Sequence, residues 1–191
     1  MGKLDFKTAF KYPFNRAKGM WNILWIFLPI IGWFTLGGYG VRIVQEFSKG
    51  KFKQLPILKF GSDLKLGFFM FLKALPFVLA YMLFGIIIDM VSYTINPWLY
   101  LIRIFTEIIV SIFIIPILAI NFMNKETVSS YFEFRIVKYV FTNLGDYIVA
   151  ILKSISLGII FLIMWIILVG LPAGAFTQNI FLADFYRRRV K

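Results

Sequence analysis

Apolar positions along this chain gather into long runs in place of the spaced stripes of a surface helix, and basic residues collect between the runs. The first run, within 21–47, is uncharged from Met20 to Val41, about the length a helix needs to cross a hydrocarbon core of roughly 30 Å. Further runs predict transmembrane helices at 66–90, 98–122 and 147–169, and a shorter helix at 175–187. Residues 1–20 mix Leu4, Phe6, Phe10, Tyr12 and Phe14 with Lys3, Lys7, Lys11, Arg16 and Lys18, a pattern that suits a segment lying in the headgroup plane and not a signal peptide. Lys73 and Lys153 stand near the starts of their runs, close enough to an interface to snorkel. The expected fold is one all-α polytopic membrane domain of four to six short transmembrane or re-entrant helices, with basic amphipathic interfacial segments.

Helix breakers decide the topology. Pro29 and Gly32 interrupt the first run, and Pro172 and Gly174 precede the last helix. A single kinked crossing of 21–47 would put the basic segment 1–20 and the basic loop Arg42 to Lys65 on opposite sides. A hairpin with its tip at Pro29 to Gly32 keeps both on the cytoplasmic side, as the positive-inside rule asks, and the hairpin is the reading adopted. The remaining runs then alternate so that both termini are cytoplasmic in a prokaryotic cell membrane, with the near-neutral link Ser92 to Pro97 outside. Pro116 predicts a kink in the third run. Two internal echoes suggest a duplicated plan: Leu28-Pro29-Ile30-Ile31-Gly32-Trp33-Phe34-Thr35 beside Leu171-Pro172-Ala173-Gly174-Ala175-Phe176-Thr177, and the stretch ending in Lys73 beside that ending in Lys153.

Composition sharpens the class. Hydrophobic residues make up 60% of the 191 residues, against roughly 45–50% in soluble domains, and the mean hydropathy is +0.82. The formal net charge of +12 reads as cytoplasmic loops facing anionic lipid headgroups and not as a nucleic-acid surface, because the cations are interleaved with membrane runs. Cysteine and histidine are both absent, which removes the thiol nucleophile, the commonest general base and the commonest metal ligands. Any enzyme chemistry would fall to Asp, Glu, Lys or Tyr alone.

The segments Leu28-Pro29-Ile30-Ile31-Gly32-Trp33-Phe34, Gly38-Tyr39-Gly40-Val41-Arg42, Gly50, Leu55-Pro56 and Gly67 resemble an uncharacterised family of archaeal and bacterial integral membrane proteins, a domain of unknown function. Tyr12-Pro13-Phe14 and Leu182-Ala183-Asp184-Phe185-Tyr186-Arg187 are similar to it too. The resemblance implies a small polytopic helical protein without an established activity. The chain departs from the family's pattern after Leu55-Pro56, where acids are usual and Ile57-Leu58-Lys59-Phe60 stand here.

Ionisable residues inside membrane runs are the candidate functional groups. Asp89, Arg103 and Glu107 are expected to share one side of the membrane and form a polar cluster, either a gate or an ion pair fixing two helices. Arg42 and Glu46, four apart on one helix, are expected to pair at the headgroup rim. Asp184 beside Arg187 and Arg188 reads as local charge balance, and Asn121, Gln178 and Asn179 as interhelical hydrogen-bonders. Gly37, Gly38 and Gly40 either let helices approach or bend the backbone toward a ligand. No catalytic residue, metal site or cofactor is expected. The leading expectation is a non-catalytic accessory or scaffold subunit of a membrane complex, or a lipid-organising protein, with anionic lipid headgroups, other membrane subunits or a second copy as partners. The alternative is a small transporter or lipid-handling protein with its site at the broken helices.

Overall fold

A computed structural model describes the backbone of residues 2–95 and 98–190, with their side chains except those at 92–95 and 99. Every regular element among the described residues is helical. In chain order these are α1 (Phe6–Lys11), α2 (Ala17–Met20), α3 (Ile31–Ser48), α4 (Phe60–Ile95), α5 (Trp98–Ile109), α6 (Ile115–Lys125), α7 (Val137–Thr142), α8 (Leu144–Ile163), α9 (Gly170–Thr177) and α10 (Ile180–Arg189), joined in places by short 3₁₀ turns. Three stretches are long and apolar enough to cross a membrane, Phe60–Val91, Tyr100–Lys125 and Leu144–Ile167, against the four to six expected. Of the link Ser92 to Pro97, the backbone is helical to Ile95, and residues 96 and 97 lie outside the described residues.

The first apolar run is not one straight helix. A 3₁₀ turn, Trp21–Phe27, leads to Ile30 at φ 66, where the chain doubles back into α3. The Trp33 indole N–H donates to the Ile26 carbonyl at 3.0 Å, and a Cβ at Gly32 would lie 1.7 Å from the Trp25 carbonyl oxygen, so the two arms touch backbone to backbone. A second reversal uses the same device: Leu168 has φ 58, and two residues on a Cβ at Gly170 would lie 1.9 Å from the Phe161 oxygen. A side chain with a Cβ is disfavoured at such φ by about 1–2 kcal/mol, and the packing of the arms offsets that cost.

These reversals correct two sequence expectations. Pro172 and Gly174 do not break the chain; both lie inside α9, and the turn falls earlier, at Met164–Val169. Pro172 is the third residue of α9, where a backbone N–H has no intrahelical acceptor to lose, so a proline fits. The suggested echo is therefore out of register: the positive-φ turns put Ile30 and Gly32 beside Leu168 and Gly170, and Pro29 does not match Pro172.

Pro116 acts through its missing donor. Proline cannot donate to the carbonyl four residues back, here Ile112, and its ring crowds that oxygen. The helix widens into a π-turn at Val110–Ile114, and the Tyr147 hydroxyl donates to the Ile112 carbonyl at 2.8 Å. Tyr147 is fully buried, so this bond closes both accounts at once.

Helices α3 and α4 pack closely through Gly38 and Gly67. A Cβ at Gly38 would lie 1.9 Å from the Asp63 oxygen, and one at Gly67 would lie 1.8 Å from the Phe34 oxygen. A Cβ at Gly37 or Gly40 meets nothing within 4 Å. Close approach thus rests on Gly38 alone of the three. It brings Arg42 to Asp63 at 2.7 Å, where Asp63 is 1% exposed and also accepts from the Lys59 N–H. Arg42 donates as well to the Ile57 carbonyl. The expected Arg42–Glu46 pair is therefore replaced, because the tight crossing offers Arg42 a buried carboxylate; Glu46 enters no ion pair among the described residues.

Other polar side chains tie the N-terminal segment, α3, α4, α6, α8 and α10 together. Lys3, Arg188 and Arg189 converge on Asp146. Asp184, 2% exposed, takes Arg187 at 2.6 Å, Arg188 at 3.0 Å and the Leu4 N–H at 3.1 Å, so it anchors the N-terminal segment beyond balancing local charge. Gln45 reaches Glu126 and the Met123 carbonyl, and Lys73 donates to the Glu126 carbonyl. Tyr12, with its hydroxyl buried and unpartnered, packs edge-on to Phe47 beneath this belt, and burial pushes its hydroxyl pKa upward.

Candidate functional site

The helices α4 and α5 follow one another in the chain and meet near their link, where the Arg103 guanidinium pairs with Asp89. Farther along they diverge, because the π-turn before Pro116 redirects α6, and the short turn Val128–Phe132 wedges between α4 and α6. Phe77 of α4 stacks on Tyr131 with ring centres 4.5 Å apart, and Tyr131 stacks on Phe122 at 4.2 Å. Burial also raises the Tyr131 hydroxyl pKa.

Between the ion pair at one end and this aromatic plug at the other lies a cavity of about 580 Å³. Its walls are Ala80, Phe84, Gly85 and Ile88 from α4, and Ile102, Val110, Ile114 and Leu118 from the facing helices, with Phe132 and Phe134 at the plugged end. From Phe77 to Ile88 the helix rises about 16 Å. The space is long, apolar and of the size of a ligand pocket.

Its charged lining is Arg103 and Glu107, and Asp89, which does not itself line the cavity, joins them through Arg103. Arg103 donates from Nε at 3.1 Å and from Nη2 at 2.9 Å to one oxygen of Glu107 while holding Asp89 on its other side. The carboxylates are the more open partners, with side chains 51% exposed for Asp89 and 45% for Glu107, against 19% for Arg103. Thr106, also on the wall, spends its hydroxyl on the Ile102 carbonyl. The cluster presents one shielded cation between two more exposed carboxylates, which leaves it one negative charge in excess. It holds no nucleophile next to a base, and no cluster among the described residues has the three His, Cys, Asp or Glu ligands a metal needs.

Of the residues the sequence singled out, the structure brings Asp89, Arg103 and Glu107 together, parts Arg42 from Glu46, and places Pro29 and Gly32 at a tight reversal whose arms leave no space between them at Gly32. Gly85 and the plug Phe77–Tyr131–Phe122 were not anticipated. A lone glycine in an apolar helix and aromatics in a loop carry no distinctive pattern, and only the divergence of α4 from α6 gives them meaning. Comparison with protein-family models, with characterised proteins and with solved structures found no match.

Proposed function

We propose that this protein is a non-catalytic integral membrane protein that holds an amphipathic lipid in the α4–α5 groove, the acyl chain along Phe84, Gly85 and Ile88 and an ammonium-bearing headgroup at Glu107, with Asp89 just beyond the groove on the other side of Arg103. The observation that carries this reading is the combination of a chain-length apolar cavity with a compact charged cluster at one end only. In this arrangement the three long helices cross the bilayer, α9 and α10 together return beside α8, and the reversal at Ile30 dips into the bilayer without crossing. The belt joining residues 1–20, the loop after α3, the segment 124–146 and the C-terminal arginines then faces the cytoplasm, as its excess of cations favours. The lipid site lies between α4 and α5, away from the Pro29 and Pro172 segments.

Native mass spectrometry of the protein released from mild detergent tests the proposal. Wild type is expected to retain about one lipid per chain. Gly85→Phe fills the groove at a position where a Cβ meets nothing within 4 Å, and is expected to lose the lipid while keeping its thermal midpoint. Equal lipid retention by both proteins overturns the reading. A second reading, an accessory subunit packed against other membrane helices, draws on the most apolar window of the Phe60–Val91 span, none of which is buried within the chain. Cross-linking from α4 in native membranes to a protein at near-stoichiometric yield would favour it.

A further inference from the structure

A second cavity, of about 470 Å³, opens among the end of α6, the segment leading into α7 and the end of α10. Its floor is Asn121, fully buried, which accepts from the Tyr186 hydroxyl at 2.7 Å and donates to the Ser130 carbonyl at 2.8 Å and to Glu133 at 3.1 Å. Lys125 is held by Glu133 on the wall, and this ion pair together with Asn121 keeps the Glu133 carboxyl below its ordinary pKa. The rim is different. Arg135 and Lys138, three residues apart, both line the cavity and are exposed, and neither makes a side-chain hydrogen bond or close ion pair among the described residues, although the Arg135 charge is near enough to Glu133 to help lower its pKa. Lys138 instead sits over the Tyr139 ring at 5.0 Å. Three cations face one carboxylate already in use, within a pocket whose floor is rigid and satisfied.

We infer that this pocket binds a phosphate group, held between the Arg135 fork and the Lys138 ammonium with Lys125 beside them. A phosphate offers several acceptor oxygens that two cations at this spacing can share, and the guanidinium matches it in a bidentate manner. A single side-chain carboxylate would leave most of the cavity empty. The phosphate is that of an anionic phospholipid headgroup or of a free phosphorylated solute, and basic pockets beside membrane helices commonly take the former. The inference stands apart from the α4–α5 groove, since the two cavities have no lining residue in common.

The test compares wild type, Arg135→Gln/Lys138→Gln and, as a charge-matched control, Lys18→Gln/Lys65→Gln, which removes two exposed lysines elsewhere. Each is reconstituted in phosphatidylcholine nanodiscs containing phosphatidylglycerol, and the lipid bound in excess of bulk is measured. In parallel, inorganic pyrophosphate is titrated against the thermal midpoint in pure phosphatidylcholine. Enrichment of phosphatidylglycerol by wild type and the control, reduced about tenfold or more in the pocket variant, supports a headgroup site, hydrogen bonds between charged groups being worth at least that factor. No enrichment, but a pyrophosphate shift that only the pocket variant loses, supports a soluble phosphate. An equal loss in the control pair, or no response of wild type to either probe, overturns the inference.

Discussion

Replacing Gly38 by Ala tests the packing logic with an internal control. At Gly37 and Gly40 the added methyl enters open space, and relief of the helical glycine penalty should stabilise the protein by roughly 0.5–1 kcal/mol. At Gly38 the same methyl would lie 1.9 Å from the Asp63 oxygen, against contacts that rarely fall under 3.0 Å, so α4 must retreat by about 1 Å. Overpacking of this kind costs about 1–3 kcal/mol on its own. The retreat also pulls Asp63 from Arg42, now 2.7 Å away, and a buried ion pair that loses its geometry costs about 3–5 kcal/mol. Gly38→Ala should therefore fall at least about 2 kcal/mol below wild type while Gly37→Ala rises slightly. Denaturant unfolding in mixed micelles, followed by tryptophan fluorescence, reads the difference. Two variants within about 0.5 kcal/mol of each other would refute the close crossing of α3 and α4.

Other consequences are independent of that crossing. Tyr147→Phe strands the Ile112 carbonyl and should cost about 1–3 kcal/mol; in a Pro116→Ala background, where residue 116 regains its N–H, the cost should shrink, and strictly additive unfolding energies would contradict the pairing. Asp184→Asn leaves Arg187 short of its carboxylate and weakens the hold on Leu4, so stability should drop by about 3 kcal/mol and trypsin should cut near Lys3 and Lys7 faster; an unchanged cleavage rate counts against the anchor. Glu133 titrates below its ordinary 4.5 in the folded protein because Lys125 and Asn121 bind its carboxylate, so its contribution is present above that value and is lost as pH falls through the folded pKa; Glu133→Gln should flatten the fall of the thermal midpoint below about pH 4.5. Single cysteines at Lys11 and Lys51 should label from the same side of the membrane, and opposite sidedness would remove the re-entrant reversal at Ile30.

The long apolar runs made the three helices that are long and apolar enough to span a membrane legible, because length and hydropathy alone limit what such a segment does. Proline and glycine marked where chain direction was at issue but not what happened there. Pro29 adjoins a reversal, Pro116 follows a widened turn, and Pro172 sits in the first turn of a helix, and the difference lies in where each falls relative to a helix start: Pro172 takes a position whose N–H has no intrahelical acceptor, whereas Pro116 follows on from α5 and leaves the Ile112 carbonyl to the Tyr147 hydroxyl. Charge spacing placed Asp89, Arg103 and Glu107 together, since helices joined by a short link bring their ends to one level. The same reasoning misjudged Arg42: spacing along a helix cannot see a carboxylate that arrives from a neighbouring helix, and Asp63 arrives only because Gly38 and Gly67 let α3 and α4 touch. Both cavities escaped the sequence for a related reason, as each is a gap set by the divergence of helices and not by any residue pattern.

The proposed lipid site is open to direct measurement with a phospholipid carrying a photoactivatable diazirine on its acyl chain, cross-linked in the reconstituted protein and mapped by peptide sequencing. Labelling should concentrate on Ile88, Val110 and Ile114, which line the groove, and should be sparse on Leu152 and Ile159 of α8, which are 56% and 52% exposed and do not line it. Labels spread evenly over groove and α8 alike would contradict a bound lipid and leave α4 and α5 as ordinary membrane-facing helices.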